Sequence, residues 1–195
     1  KKETGRAEEM LKKAVQTDPK NPALRTALAS FYEVNGNAVK SAEVMQALVQ
    51  EQPGNASNKR QLAALYLEQK SWDKGVQVIE EVLKANPKDA EAHILKSRLL
   101  VGQGKTDAAI AAAQGAINAD SKSAAARMAL GQAYYAKDPK SPQVESAWTE
   151  AINVDPNYVN AYLYLSQLKL TAGDQASAIR YAQQALRLDP NASDA

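Results

Sequence analysis

Cysteine is absent from the 195 residues, and histidine and phenylalanine occur once each. Without cysteine there is no disulfide framework and no thiolate chemistry. That absence suits cytoplasm and periplasm alike, so the compartment stays open. A metal site at His93 would need other ligands converging on it, and no cysteine is there to help. No metal or cofactor is expected. No run of about 18 apolar residues occurs, so this segment is not expected to insert into a membrane. No signal peptide is visible, and the chain reads as soluble. The net charge of +2 is too small for a nucleic-acid binder, which usually needs a concentrated basic surface. The carboxylates are scattered, and no nucleophile, base and orienting group can be assembled. The composition therefore points away from an enzyme.

What the chain does have is alanine and a repeating pattern. Residues 158–190 read as two helices and a turn. Apolar or small residues fall at Tyr162, Leu165 and Ser166, with the stem of Lys169 continuing the face, and then at Ala178, Ala182 and Ala185. Both sets follow the three-and-four spacing of a buried helical face. Ala172-Gly173-Asp174 breaks the first helix, because glycine accepts the left-handed conformation that ends one. Asp189-Pro190 ends the second. Neither helix could bury its face alone, so the segment predicts copies of itself. Pro19, Pro53 and Pro87 are spaced 34 residues apart, as are Pro156 and Pro190. Ser121, in Ala119-Asp120-Ser121, stands where the intervening proline is due.

Taken in order, residues 4–21 carry the second helix of a partial repeat, with Ala7, Leu11 and Ala14 in register. Five full repeats follow over 22–55, 56–89, 90–123, 124–158 and 159–192. The first has Leu28, Ala29 and Tyr32 before its Asn35-Gly36-Asn37 turn, then Met45 and Leu48. The second has Leu62, Ala63 and Tyr66, a Ser71 suited to an N-cap, then Gly75, Ile79 and Val82. The third departs from the pattern at Lys96 and Ser121, which predicts a local adjustment of packing. The fourth has Leu130, Gly131 and Tyr134, then Trp148 and Ala151. Its turn over 137–142 holds an extra residue, and Ser141-Pro142 suits an N-cap followed by a first helical position. The chain opens on Lys1 inside a repeat, and 191–195 would begin another. It reads as an excerpt of a longer array, cut at both ends.

Period, small-residue positions and closing prolines together resemble the tetratricopeptide (TPR) repeat over nearly the whole chain. The resemblance implies an all-α fold, a right-handed superhelical solenoid of antiparallel helix pairs. It also implies binding of a protein or peptide partner in a concave groove lined by the first helices. In register, that groove offers Arg60 and Leu67; Ile94, Leu95, Arg98 and Val101; Met128, Gln132 and Tyr135; and Asn160, Leu163, Tyr164, Gln167 and Leu170. These positions suit either an apolar or amphipathic segment, or contacts with adjacent helices and further repeats. One TPR subclass grips C-terminal carboxylates with lysine, asparagine and arginine. The matching positions here hold Thr26, Ser30, Gln61, Glu91 and Leu95, so that clamp is absent from the first three full repeats. The alanine-rich composition also resembles bacterial TPR arrays linked to exopolysaccharide export and protein sorting. The expected role is a non-enzymatic interaction scaffold. The alternatives are a recruiting segment of a larger enzyme or bacterial export or assembly machine, and a self-associating structural array.

Three apparent motifs read as structure. His93 shares the register of Tyr162, a packing position between helices. Gly102-Gln103-Gly104-Lys105-Thr106 resembles the end of a phosphate-binding loop, but Leu99 stands where that motif needs glycine, and the stretch lies between helices. Asn55-Ala56-Ser57 and Asn191-Ala192-Ser193 fit the glycosylation sequon, yet both fall at junctions where polar turn residues belong.

Overall fold

The computed structural model describes residues 2–192, which form eleven α-helices and no strand. They are α1 (Lys2–Thr17), α2 (Pro22–Val34), α3 (Ala38–Glu51), α4 (Ala56–Glu68), α5 (Trp72–Ala85), α6 (Ala90–Gly102), α7 (Thr106–Ala119), α8 (Ala124–Lys137), α9 (Pro142–Val154), α10 (Val159–Thr171) and α11 (Gln175–Leu188). Helices α1–α5 belong to one compact unit ending at Ala85, and α6–α11 to a second beginning at Asn86. Among the described residues no helix is long and apolar enough to cross a membrane.

Two kinds of connection alternate along the chain. The turns inside the α2–α3, α4–α5, α6–α7 and α10–α11 pairs share one geometry. Gly36, Lys70, Gly104 and Gly173 carry φ of 71°, 57°, 73° and 82°. The next N–H then reaches back five residues. Asn37 donates to Tyr32 O and Ser71 to Tyr66 O, both at 2.8 Å, and Lys105 to Leu100 O and Asp174 to Lys169 O, both at 2.9 Å. This satisfies carbonyls that a helix end leaves unpaired. The stretch around Gly104 is thus a helix-ending turn. Between α8 and α9 the extra residue gives a different turn. Asp138 is extended, and Ser141 caps α9 by accepting from Gln143 N at 3.3 Å, with Pro142 at the first helical position.

Between pairs, a carboxylate or amide shapes the junction. Asp120 accepts from Lys122 N at 2.9 Å, Asp155 from Asn157 N at 3.0 Å and Asp189 from Asn191 N at 2.9 Å. The backbone at Asp120 (φ −139°, ψ 97°) matches that at Asp155 (−134°, 96°) and Asp189 (−139°, 104°). The backbone before Ser121 therefore keeps the shape found before the junction prolines. The side-chain turn of the aspartate supplies the shape that the proline ring would otherwise favour. Asn55 caps α4 by accepting from Asn58 N at 3.1 Å, which accounts for the first sequon. The second sequon ends at Ser193, and residues 193–195 lie outside the described residues.

A tether missed in the sequence recurs six residues after the junction proline. Arg25 donates to Pro19 O at 2.6 Å, His93 Nε2 donates to Pro87 O at 3.0 Å and the Tyr162 hydroxyl donates to Pro156 O at 3.0 Å. Three different side chains thus hold the start of a helix to its own junction. His93 also packs as expected: a Cβ on Gly115 of α7 would lie 2.8 Å from its ring.

The first unit buries Ala29, Met45, Leu48, Leu62, Leu65 and Tyr66 in one cluster. Helix α1 joins this unit through Glu8, which accepts from the Tyr32 hydroxyl at 2.9 Å and pairs with Lys12 at 2.8 Å and Lys40 at 3.0 Å. Those three partners, Lys12 foremost, hold the carboxyl down from its ordinary 4.5 to about 2. The folded form therefore binds fewer protons than the unfolded chain between these values. The contribution of Glu8 is fully present above about pH 4.5 and is lost as pH falls toward 2. Unfolding midpoints measured across that interval should fall less steeply in Glu8→Gln than in the parent. Identical profiles would show that the contact does not support the fold.

Candidate functional site

Three first helices of the second unit present matched side-chain pairs. Ile94 and Arg98 on α6, Met128 and Gln132 on α8, and Asn160 and Tyr164 on α10 each stand four residues apart. That spacing places each pair on one helical face. Together with Ala125, Ala129 and Tyr158 they line a cleft of about 230 Å³. A second cleft of about 540 Å³ shares Asn160 and Tyr164 and adds Leu163, Ser166, Gln167, Ala182, Leu186 and Ala192. The structure thus brings most of the groove positions on α8 and α10 together with Ile94 and Arg98. It does not do so for all positions. Leu95 and Val101 are half-buried on α6 and line neither cleft. Arg60 and Leu67 are half-buried on α4 of the other unit and also line neither. Met128 lines the first cleft but is only 4% exposed, because it sits in the core cluster with Trp148 and Leu165.

Trp148 organises the aromatic side of this region. Its indole lies over Gly131, where an added Cβ would come within 2.2 Å of Nε1. The indole N–H donates to Met128 O at 3.3 Å, so the buried donor is satisfied. Tyr135 stacks on Trp148 with ring centroids 5.9 Å apart, and Tyr164 tilts against it at 5.2 Å. Trp148 is 2% exposed, whereas Tyr135 and Tyr164 are 42% and 43% exposed. A rigid buried ring therefore holds two accessible ones. Helical register by itself places Trp148 only on the second helix of its repeat. The signal that could have revealed its part was the glycine facing it, since the largest side chain needs the smallest partner.

The electrostatics are one-sided. No carboxylate lines either cleft. The cations of α8 and α10 turn to acids on the second helices. Lys137 meets Asp107 at 2.6 Å, Lys169 meets Glu145 at 2.6 Å and Arg127 meets Glu150 at 3.8 Å. The Asp107 and Glu145 hydrogen bonds raise the pKa of Lys137 and Lys169 respectively. Arg98 is exposed at the first cleft. Among the described residues no cluster of histidine and carboxylates could hold a metal ion.

Comparison with known proteins identifies the repeat. Two family models, each described as tetratricopeptide repeat, match the chain. One matches residues 1–57 and 35–99, and the other residues 94–141 and 145–193. No curated protein matches the sequence. A thermophilic TPR protein of Thermus thermophilus is similar in structure with a TM-score of 0.79 at 14% identity, over 89% of this chain and 94% of that one. A tetratricopeptide repeat protein of Parabacteroides merdae gives 0.74 at 20% identity, over 94% of this chain and 73% of that one. YrrB, described as a TPR protein with an unusual peptide-binding site, gives 0.56 at 13% identity, over 93% of each chain. At these identities the likeness is one of fold.

The packing of Trp148 on Gly131 is open to test. Gly131→Ala should lower stability by roughly 1–3 kcal/mol, because the buried indole must move or leave its hydrogen bond. An unchanged thermal midpoint would mean that the two helices do not approach so closely in solution.

Proposed function

The chain belongs to the tetratricopeptide repeat family, whose helix pairs build an all-α solenoid, and on that premise we propose a non-enzymatic scaffold that binds a segment of a partner protein. The bound segment is apolar or amphipathic and lies along α6, α8 and α10. The observation that carries this reading is the pair of exposed tyrosines held by buried Trp148, of which Tyr164 lines the cleft of about 230 Å³ and Tyr135 lines neither cleft. Accessible rings braced from behind lose little freedom on binding, and aromatic anchors dominate many interfaces. Gln132 and Asn160 offer amides to the backbone of an incoming chain, and Leu163 and Gln167 continue the surface into the second cleft. The same surface would serve a recruiting segment of a larger enzyme or assembly machine. YrrB, a protein of similar fold, has a peptide-binding site by its description, which supports a peptide as the occupant.

A second reading, self-association, rests on α11. Ile179 and Leu186 are 58% and 42% exposed, and Leu170 on α10 is 55% exposed. Light scattering across a concentration series distinguishes this reading, since a monomer at all concentrations would leave these side chains without that role.

Peptides selected from a random library on the folded chain provide the direct test of the groove. Combining Tyr135→Ala and Tyr164→Ala should weaken their binding tenfold or more, about 1.4 kcal/mol, while far-ultraviolet circular dichroism stays unchanged. Undiminished affinity in the folded double variant would move the binding surface elsewhere.

A further inference from the structure

A different cleft, of about 310 Å³, lies between α10 and α11 and is lined by Tyr162, Arg180, Tyr181, Gln183, Gln184 and Arg187. The repeat period allows comparison with two other helix pairs. At the equivalent position in α4 and α5, Lys59 meets Glu81 at 2.6 Å. In α8 and α9, Arg127 meets Glu150 at 3.8 Å. Tyr162 and Gln184 hold these two positions in α10 and α11, so no such ion pair can form there. Yet α11 keeps a guanidinium on each side of Gln184 and contains neither aspartate nor glutamate.

Among the described residues neither Arg180 nor Arg187 forms a salt bridge, although the Asp174 carboxylate acts on Arg180 from a distance. Arg180 rests over the Tyr181 ring at 5.5 Å. The acids nearest in sequence accept from backbone outside the cleft: Asp155 from Asn157 N at 3.0 Å, Asp174 from Ser177 N at 3.1 Å and Asp189 from Asn191 N at 2.9 Å, and none of them lines it. The cleft is thus lined by two guanidiniums, two amides and two phenol rings, and by no carboxylate.

We infer that this cleft binds an acidic peptide segment carrying two carboxylates three residues apart. Arg180 and Arg187 are two helical turns apart on one face, about 10 Å at 1.5 Å per residue. A chain in polyproline II form repeats its side-chain direction every three residues and advances about 9 Å in doing so. One carboxylate then meets each guanidinium, and the Gln183 and Gln184 amides face the backbone between them. Guanidinium–carboxylate pairing gives the specificity. The site is separate from the tyrosine-lined surface and does not depend on it.

The test uses the whole chain and a fluorescein-labelled peptide with glutamates at i and i+3, followed by anisotropy at low and physiological salt. Saturable binding is expected, weaker at the higher salt. Arg180→Gln combined with Arg187→Gln should weaken it tenfold or more, as should replacing both peptide glutamates with glutamine. Tyr135→Ala with Tyr164→Ala should leave it unchanged. Both arginines are exposed, so circular dichroism of the double variant should match the parent. Should that variant misfold, the glutamine peptide on the parent protein decides alone. Absence of saturable binding, or equal affinity in the folded double variant, overturns the inference. Equal affinity for a peptide carrying only one of the two glutamates would show a site for a single carboxylate and overturns the two-point reading.

Discussion

Close approach of paired helices at small residues is the constraint on which the rest of the molecule depends. Ala29 and Ala63 in the first unit and Ala113, Ala126 and Ala133 in the second are fully buried. Glycine takes this further in two places. Gly115 receives the His93 ring and Gly131 receives the Trp148 indole. Interiors are packed at crystal-like density, so a methyl group added at such a point displaces a neighbour. The large side chain set against each glycine is then fixed in place. In the second unit that fixed side chain is the support for two exposed tyrosines. Packing and surface chemistry are thus one arrangement rather than two.

Charge follows the same division between first and second helices. Cations on first helices find acids on second helices, as in Lys59–Glu81, Arg127–Glu150 and Lys169–Glu145. Such pairs, in which the acid stays in contact with water, contribute little to stability individually. Their larger consequence is where they leave charge. They draw lysines away from the surfaces of the first helices, so the clefts are lined by amides, tyrosines and Arg98. Where Tyr162 and Gln184 stand at the paired positions, Arg180 and Arg187 line a cleft without a salt bridge among the described residues.

The repeat substitutes side chains while keeping their work. Arginine, histidine and tyrosine each reach the carbonyl of the proline six residues earlier. Aspartate keeps the junction shape when serine stands in for proline. Lysine at position 70 adopts the left-handed conformation that glycine holds at 36, 104 and 173. In each case the backbone geometry is shared and the chemistry that satisfies it differs, which is why residue identity alone understates how regular the repeat is.

The sequence by itself determined the all-α class, the turns at Gly36, Gly104 and Gly173, the longer connection before Pro142 and the small face at Ala63 and Gly131. These follow from period and backbone preference, which act over one or two helical turns. It also listed the groove positions, because helical register assigns a face to every residue. Only the tertiary structure decided which of those residues share a cleft, that Met128 is buried while Tyr135 and Tyr164 are accessible, and that Trp148 stands between them. Register tells the direction of a side chain from its own helix axis. Burial depends on what the next helix places opposite, and for Trp148 that is the missing side chain of Gly131.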